Sequence, residues 1–316
     1  MNILITGGAG YVGSMLVQKI YESNLNVNKL VIYDNLMYRQ TSLTQFCHHK
    51  NFNFVQGDVR NQDTFLPLVQ QADVIIPLAA YVGFSACDRD VEAATKVNFE
   101  QIKFIIENTS RNQKIIYPNT DSAYGSTDGD SFCTEETPLV PTSHYGRTKT
   151  QSEYALRDSG RGIVVRLATV FGVSPRLRLD LLINDFVFKA MTDGYLILFE
   201  KNFKRNFVHV QDVATAFLFL IENYSKYNGE VFNVGNTEAN MTKLELCDKI
   251  QSYIPNFTVK VEEFSHDPDK RNYVVSNAKL EKEGWSCLYS VDDGIQELIK
   301  AYSMIIHRNR RNYTNL

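Results

Sequence analysis

The sequence predicts an α/β protein: a doubly wound parallel sheet carrying a smaller mixed α/β lobe. Three observations lead there. Short β-branched runs alternate with longer amphipathic stretches through the first half, a glycine-rich turn joins the first run to the first helix, and the alternation breaks down after Gly172. Such near-continuous apolar strands are buried on both faces by helices.

The strand runs are Asn2 to Thr6, Leu30 to Asp34, Phe52 to Val55, Asp73 to Ile76, Lys114 to Tyr117 and Ile163 to Arg166. Apolar residues recurring at three- and four-residue spacing predict helices near Tyr11 to Ser23, Asp90 to Thr109, Ser143 to Asp158, Leu181 to Asp193 and Gln211 to Tyr224. Beyond Gly172, basic clusters (Arg176 and Arg178; Lys201 to Arg205) and short strands at Tyr195 to Phe199 and Thr258 to Val261 mark a second lobe. The expected division is residues 1–172 for a nucleotide domain and 173–316 mainly for substrate, with re-entry into the first domain near 206–235, where strand, helix and strand follow again. The basic tail His307 to Arg311 reads as a solvated end.

Composition excludes several classes. With 33 basic and 36 acidic residues, the chain has no broad field to hold nucleic acid or an anionic membrane. Apolar runs such as Val74 to Ala80 fall far short of the ~20 residues that span a bilayer, so a soluble, cytoplasmic protein is expected. Five cysteines, odd in number and never in a CxxC pair, argue against a disulfide framework or a zinc knuckle; no metal site is expected.

The turn Gly7-Gly-Ala-Gly10-Tyr11-Val12-Gly13 stands between first strand and first helix, where glycines let a pyrophosphate approach the helix N-terminus, as in a Rossmann nucleotide site. Asp34 ends the second strand at the separation expected of a carboxylate that binds the adenosine ribose diol and repels a 2′-phosphate, which favours NAD over NADP; Arg39 stands close by in sequence. Asn35, Asp58 and Val59, then Leu78, Ala79, Ala80 and Asn98, complete the expected cofactor set.

Tyr145 and Lys149 lie four apart in a predicted helix and project from one face. An ammonium beside a phenol favours phenolate, making the tyrosine a usable base near neutrality.

Taken together, GGAGYVG, Asp58, LAA, TDSAYG, YGRTK, RNFVHVQDVA, VFNVGN and Arg271 resemble the extended short-chain dehydrogenases/reductases, specifically the NAD-dependent nucleotide-sugar epimerase/dehydratase family. The resemblance covers most of the chain. It implies that Tyr145 takes the proton from a sugar hydroxyl, usually at C4, as hydride passes to NAD. Lys149 would bind the nicotinamide ribose and lower the tyrosine pKa, and Thr120 would hydrogen-bond the reacting hydroxyl. Members that are 4,6-dehydratases carry Asp and Glu after this threonine; here Asp121 is followed by Ser122, which lacks the carboxylate that takes the C5 proton.

The resemblance also implies that Arg205 and Arg271 grip the substrate diphosphate and that Asn184 contacts the diphosphate or the sugar. Val82 to Phe84 and Arg176 to Asp180 are expected to face the sugar, while His209 and Asp212 support structure. A homodimer through the helices near 90–109 and 143–158 is expected, as is a nucleotide-sugar substrate. LAAYVGFSACDRD resembles sequences from bacterial surface-polysaccharide gene clusters, including those making modified heptoses. The expected activity is therefore oxidation at C4 by an epimerase or 4-dehydrogenase. The alternatives are a 4,6-dehydratase and a non-catalytic NAD sensor; intact Thr120, Tyr145 and Lys149 argue against the sensor.

Overall fold

The computed structural model describes residues 1–127, 130–262 and 271–305. Its central sheet has seven parallel strands, in the order Val231–Val234, Ile163–Leu167, Lys114–Thr120, Val74–Pro77, Asn2–Thr6, Lys29–Asp34 and Phe52–Gln56. The predicted doubly wound sheet is thus present, and the six strand runs expected between Asn2 and Arg166 lie in it. The chain begins at the middle, builds outward to Phe52–Gln56, then crosses back to Val74–Pro77 on the other side of the first strand. That reversal opens a crevice at the strand C-termini, where open α/β sheets bind ligands.

Strand periodicity explains the two covering layers. Ile3 and Ile5 enter a core with Leu16, Ile20, Val213 and Phe217, from helices Tyr11–Glu22 and Val210–Glu222. Leu4, between them, enters the opposite core with Phe65, Ile102 and Ile105. Phe65 belongs to a helix the sequence hides, Gln62–Gln71: Pro67 interrupts it and much of it is polar, so its start shows only in the cap, where Asn61 accepts from Thr64 N.

The stretch expected as one helix near 90–109 is three segments: Val91–Thr95, a widened π turn over Lys96–Glu100, and Gln101–Glu107. From here two amides reach the same segment of chain beyond the fourth strand. Asn98 Oδ1 accepts from Tyr81 N (2.9 Å), its Nδ2 donates to Tyr81 O (3.0 Å), and Gln101 Nε2 donates to Ala79 O (3.1 Å).

Past Gly172 the chain departs from a simple strand–helix–strand return. Lys204–His209 stays outside the central sheet, pairing parallel with Thr169–Phe171 and antiparallel with Asn240–Thr242. Among the described residues after Gly172, only Val231–Val234 joins the central sheet, beside Ile163–Leu167. A separate core gathers Leu179, Ile183, Val187, Leu246, Ile250 and Leu298 from helices Leu182–Thr192, Lys243–Tyr253 and Val291–Ser303 and the loop before them. Strands Tyr195–Leu198 and Thr258–Val261 pair in parallel.

His209 and Asp212 hold the lobe together. His209 Nε2 meets Glu297 at 2.8 Å, and Asp212 accepts from Leu288 N and Tyr289 N. Among the described residues no helix is long and apolar enough to cross a membrane. The tail His307 to Arg311 lies outside the described residues.

Candidate active site

A cavity of about 620 Å³ opens at the C-terminal ends of the strands. One part is lined by Gly7, Gly10, Tyr11, Val12, Gly13, Asp34, Asn35, Asp58, Val59, Leu78, Ala79 and Ala80; the other by Val82, Thr120, Ser122, Tyr145, Lys149, Arg176, Arg205 and Arg271.

The first part has the chemistry of a dinucleotide cradle. No side chain caps the helix starting at Tyr11, and its first turn carries no acidic residue, so its N–H donors and positive dipole end face the cavity. Gly7 has φ +64, and a Cβ there would come within 2.6 Å of Ala79 backbone; one on Gly13 would stand 2.5 Å from Gly8 Cα. These positions admit no side chain. Asp34 is fixed at the end of its strand: Oδ2 accepts from Ala9 N (3.0 Å), Oδ1 from Leu36 N (2.8 Å) and from Gln40 Nε2 (3.2 Å). Burial raises its pKa, opposed by those backbone donors. Asp58 is the more strongly ionised; its forked pairing with Arg60 pulls it down to about 2. Arg39 does not line the cavity.

The second part is organised by helix His144–Asp158, capped by Ser143, whose Oγ accepts from Gly146 N. Its buried Glu153 takes both Arg166 Nη2 (2.6 Å) and Arg166 Nε (3.1 Å), and Asn119 Nδ2 at 2.5 Å. This fully buried network ties the helix to strands Ile163–Leu167 and Lys114–Thr120 and so sets Thr120 against Tyr145. Thr120 and Tyr145 both line the cavity. Removing one partner of the buried Glu153–Arg166 pair costs about 3–5 kcal/mol.

Lys149 lies one turn beyond Tyr145, almost wholly buried, its Nζ 4.3 Å from the centre of the Tyr117 ring. Burial lowers it to about 7. Burial likewise pushes the Tyr145 phenol up to about 12, against the cations of Arg271 and Arg178. The lowered tyrosine expected from its lysine neighbour is therefore not a property of the protein alone, because loss of water outweighs the cations.

Three expected site residues stand behind the lining. Asn98 acts on Tyr81, as described. Asn184 Nδ2 donates to Gly172 O (3.2 Å) and Arg178 O (2.8 Å), while its Oδ1 accepts from Gly172 N (3.0 Å), so it shapes the loop that carries Arg178. Asp121 is sealed off: both carboxylate oxygens are buried without a hydrogen bond, and burial raises its pKa well above the usual range.

Arg271 also lines the cavity, and one of its Nη1–H donors bonds Ser122 Oγ, at the Thr120 end. Arg205 lies buried with its guanidinium 5.5 Å from the Tyr273 ring. Sequence reading missed Lys243 and Tyr273, which line the same region. Lys243 gives no sequence signal because it opens a helix with a Thr242–Glu245 capping box and looks like an ordinary first-turn residue.

A family model described as the NAD dependent epimerase/dehydratase family matches residues 3–235. Among curated proteins, the chain is 27% identical to the low-salt glycan biosynthesis protein Agl12 of Haloferax volcanii over 96% of this chain and 98% of that one. Among solved structures it is similar to dTDP-glucose 4,6-dehydratase from Bacillus anthracis in complex with NAD, at TM-score 0.83 and 25% identity over 96% and 97% of the two chains. UDP-glucuronic acid 4-epimerase from Bacillus cereus, solved with UDP-glucuronic acid and NAD, shares the fold at TM-score 0.85 and 22% identity, over 96% of this chain and all of that one (100%). NAD is the cofactor of the family.

Proposed function

The chain belongs to the NAD dependent epimerase/dehydratase family, and on that premise we propose that it oxidises a nucleotide-activated sugar at C4, as an epimerase or a 4-dehydrogenase, in the making of surface-polysaccharide sugars. One observation carries the reading: Thr120, Tyr145 and Lys149 face the cavity together, while Asp121 is sealed behind it and Ser122 supplies no carboxylate. C4 oxidation needs only the first three. Elimination of water needs an acid at the departing hydroxyl and a base at C5 as well. The dehydratase name of the Bacillus anthracis neighbour and the presence of Asp121 favour a 4,6-dehydratase as the second reading. The Agl12 name supports a place in glycan synthesis.

Bound NAD supplies the hydride acceptor. Tyr145 removes the hydroxyl proton, and Thr120 orients that hydroxyl. Ligand oxygens near Lys149 favour its ammonium form, and an ammonium one helical turn away favours the phenolate. Arg205 and Lys243 are the buried cations we assign to the substrate diphosphate; a guanidinium can grip it through two oxygens. The resulting ketone is either reduced again on its opposite face or released.

The protein is further proposed to work as a homodimer through the paired helices of 91–107 and 144–158, on which Val91 and Tyr154 are exposed. Incubation with NAD and a panel of UDP-, dTDP- and GDP-sugars tests the activity. Accumulating NADH identifies a dehydrogenase, and an epimer formed without it identifies an epimerase. No turnover of any nucleotide sugar overturns the proposal.

A further inference from the structure

Ser122 is nearly inaccessible yet forms part of the cavity wall beside Thr120 and Tyr145. Two donors converge on its Oγ: Arg271 Nη1 and the Thr120 hydroxyl, the latter at 3.1 Å. A hydroxyl oxygen has two lone pairs and one hydrogen. With both lone pairs occupied, the Ser122 hydrogen remains to be donated, and neither oxygen of the adjacent Asp121 receives it. The open direction is the cavity. A guanidinium bonded to the back of this oxygen strengthens the O–H as a donor.

The same arrangement constrains Thr120. Its hydrogen goes to Ser122, and its Oγ1 accepts from Ser122 N at 3.2 Å.

We propose that Ser122, backed by Arg271, is a charge-assisted hydrogen-bond donor that holds an acceptor oxygen of the sugar next to the carbon being oxidised. Arg271 is then a positioning residue at the sugar end of the site, not a grip on the diphosphate. The inference rests on the nucleotide-sugar reading above. It gives the Ser122 hydrogen bond a direction: the serine donates.

Calorimetric titration of the NAD-loaded protein tests it, using UDP-glucose, dTDP-glucose and GDP-mannose, each beside its free nucleoside diphosphate. For the sugar that the wild type binds, Ser122→Ala should weaken affinity about 10- to 100-fold, the usual worth of a hydrogen bond backed by a charge. Affinity for the free diphosphate should stay within about two-fold, the room left for small structural adjustment. Ser122→Thr, which keeps the hydroxyl, should recover most of the loss. Arg271→Gln should show a loss confined to the sugar nucleotide and largely absent on the Ser122→Ala background, because the two residues act as one unit. Retained NAD and an unchanged melting curve show that each variant folds; should Ser122→Ala fail that check, the Arg271→Gln arm decides alone. Unchanged sugar affinity in the folded variants, or an equal loss for the free diphosphate, overturns the inference. A wild type that binds none of the three sugar nucleotides overturns the nucleotide-sugar reading itself.

Discussion

Replacing Lys149 by Met should make the cofactor-free protein more stable, and the gain should depend on pH in a stated direction. The ammonium is almost wholly buried and rests on the Tyr117 ring. Its pKa falls from 10.5 to about 7 on burial, which corresponds to a ceiling of about 5 kcal/mol against the folded state when the group is fully charged in the unfolded chain. Because the amine lines the cavity, water reaches it, and losing the contact with Tyr117 offsets part of the gain, so about 1–3 kcal/mol is expected. Between pH 7 and 10.5 the unfolded chain binds more protons at this site than the folded one, so the wild type gains stability as pH rises through that window. Below pH 7 the penalty is complete. The Met variant should therefore melt a few degrees above wild type at pH 6.5, with the gap closing towards pH 10.5. Scanning calorimetry of both proteins stripped of NAD measures this. Saturating NAD should then stabilise the wild type more than the variant, since Met offers ligand oxygens no charge. A variant no more stable than wild type at pH 6.5, or a gap constant across the window, would refute the reasoning.

Tyr145→Phe should lower turnover by about 100- to 10,000-fold while NAD binding and the melting curve persist; retained turnover would remove the tyrosine from its assigned role. The protein should bind NAD well and NADP poorly, because Asp34 is locked at the strand end by Ala9 N, Leu36 N and Gln40, and Arg39 does not line the cavity. Equal affinities in a competition titration would contradict that. Sedimentation velocity should show a dimer, and Tyr154→Glu, on the exposed face of helix His144–Asp158, should shift it towards monomer; a monomeric wild type would falsify the proposed assembly.

The sheet was legible in the sequence because its strands are apolar on both faces and each is followed by a punctuated turn. Helix Gln62–Gln71 was not, since it contains Pro67 and buries little beyond Phe65 and Val69. Lys204–His209 reads as a strand but gives no sign of which sheet it joins, because pairing is decided by tertiary packing. At the site, motif spacing located Gly7, Asp34, Tyr145 and Lys149, and the family resemblance Thr120, all on the cavity wall. Spacing says nothing about depth. Asn98, Asp121 and Asn184 have the right chemistry and order but face away from the cavity, into hydrogen bonds with Tyr81 and Gly172 or into a sealed space. Nor does it report desolvation, which here moves Tyr145 and Lys149 in the directions opposite to useful base catalysis until ligands arrive.

The mass of the product formed from the nucleotide sugar that the protein turns over tests the central claim most directly. C4 oxidation without elimination predicts either an unchanged mass, for the epimer, or a loss of two hydrogens, for the released 4-keto sugar. A loss of one water would contradict the account, since it would require acid and base groups at C5 and C6 that Ser122 and the sealed Asp121 do not present to the cavity.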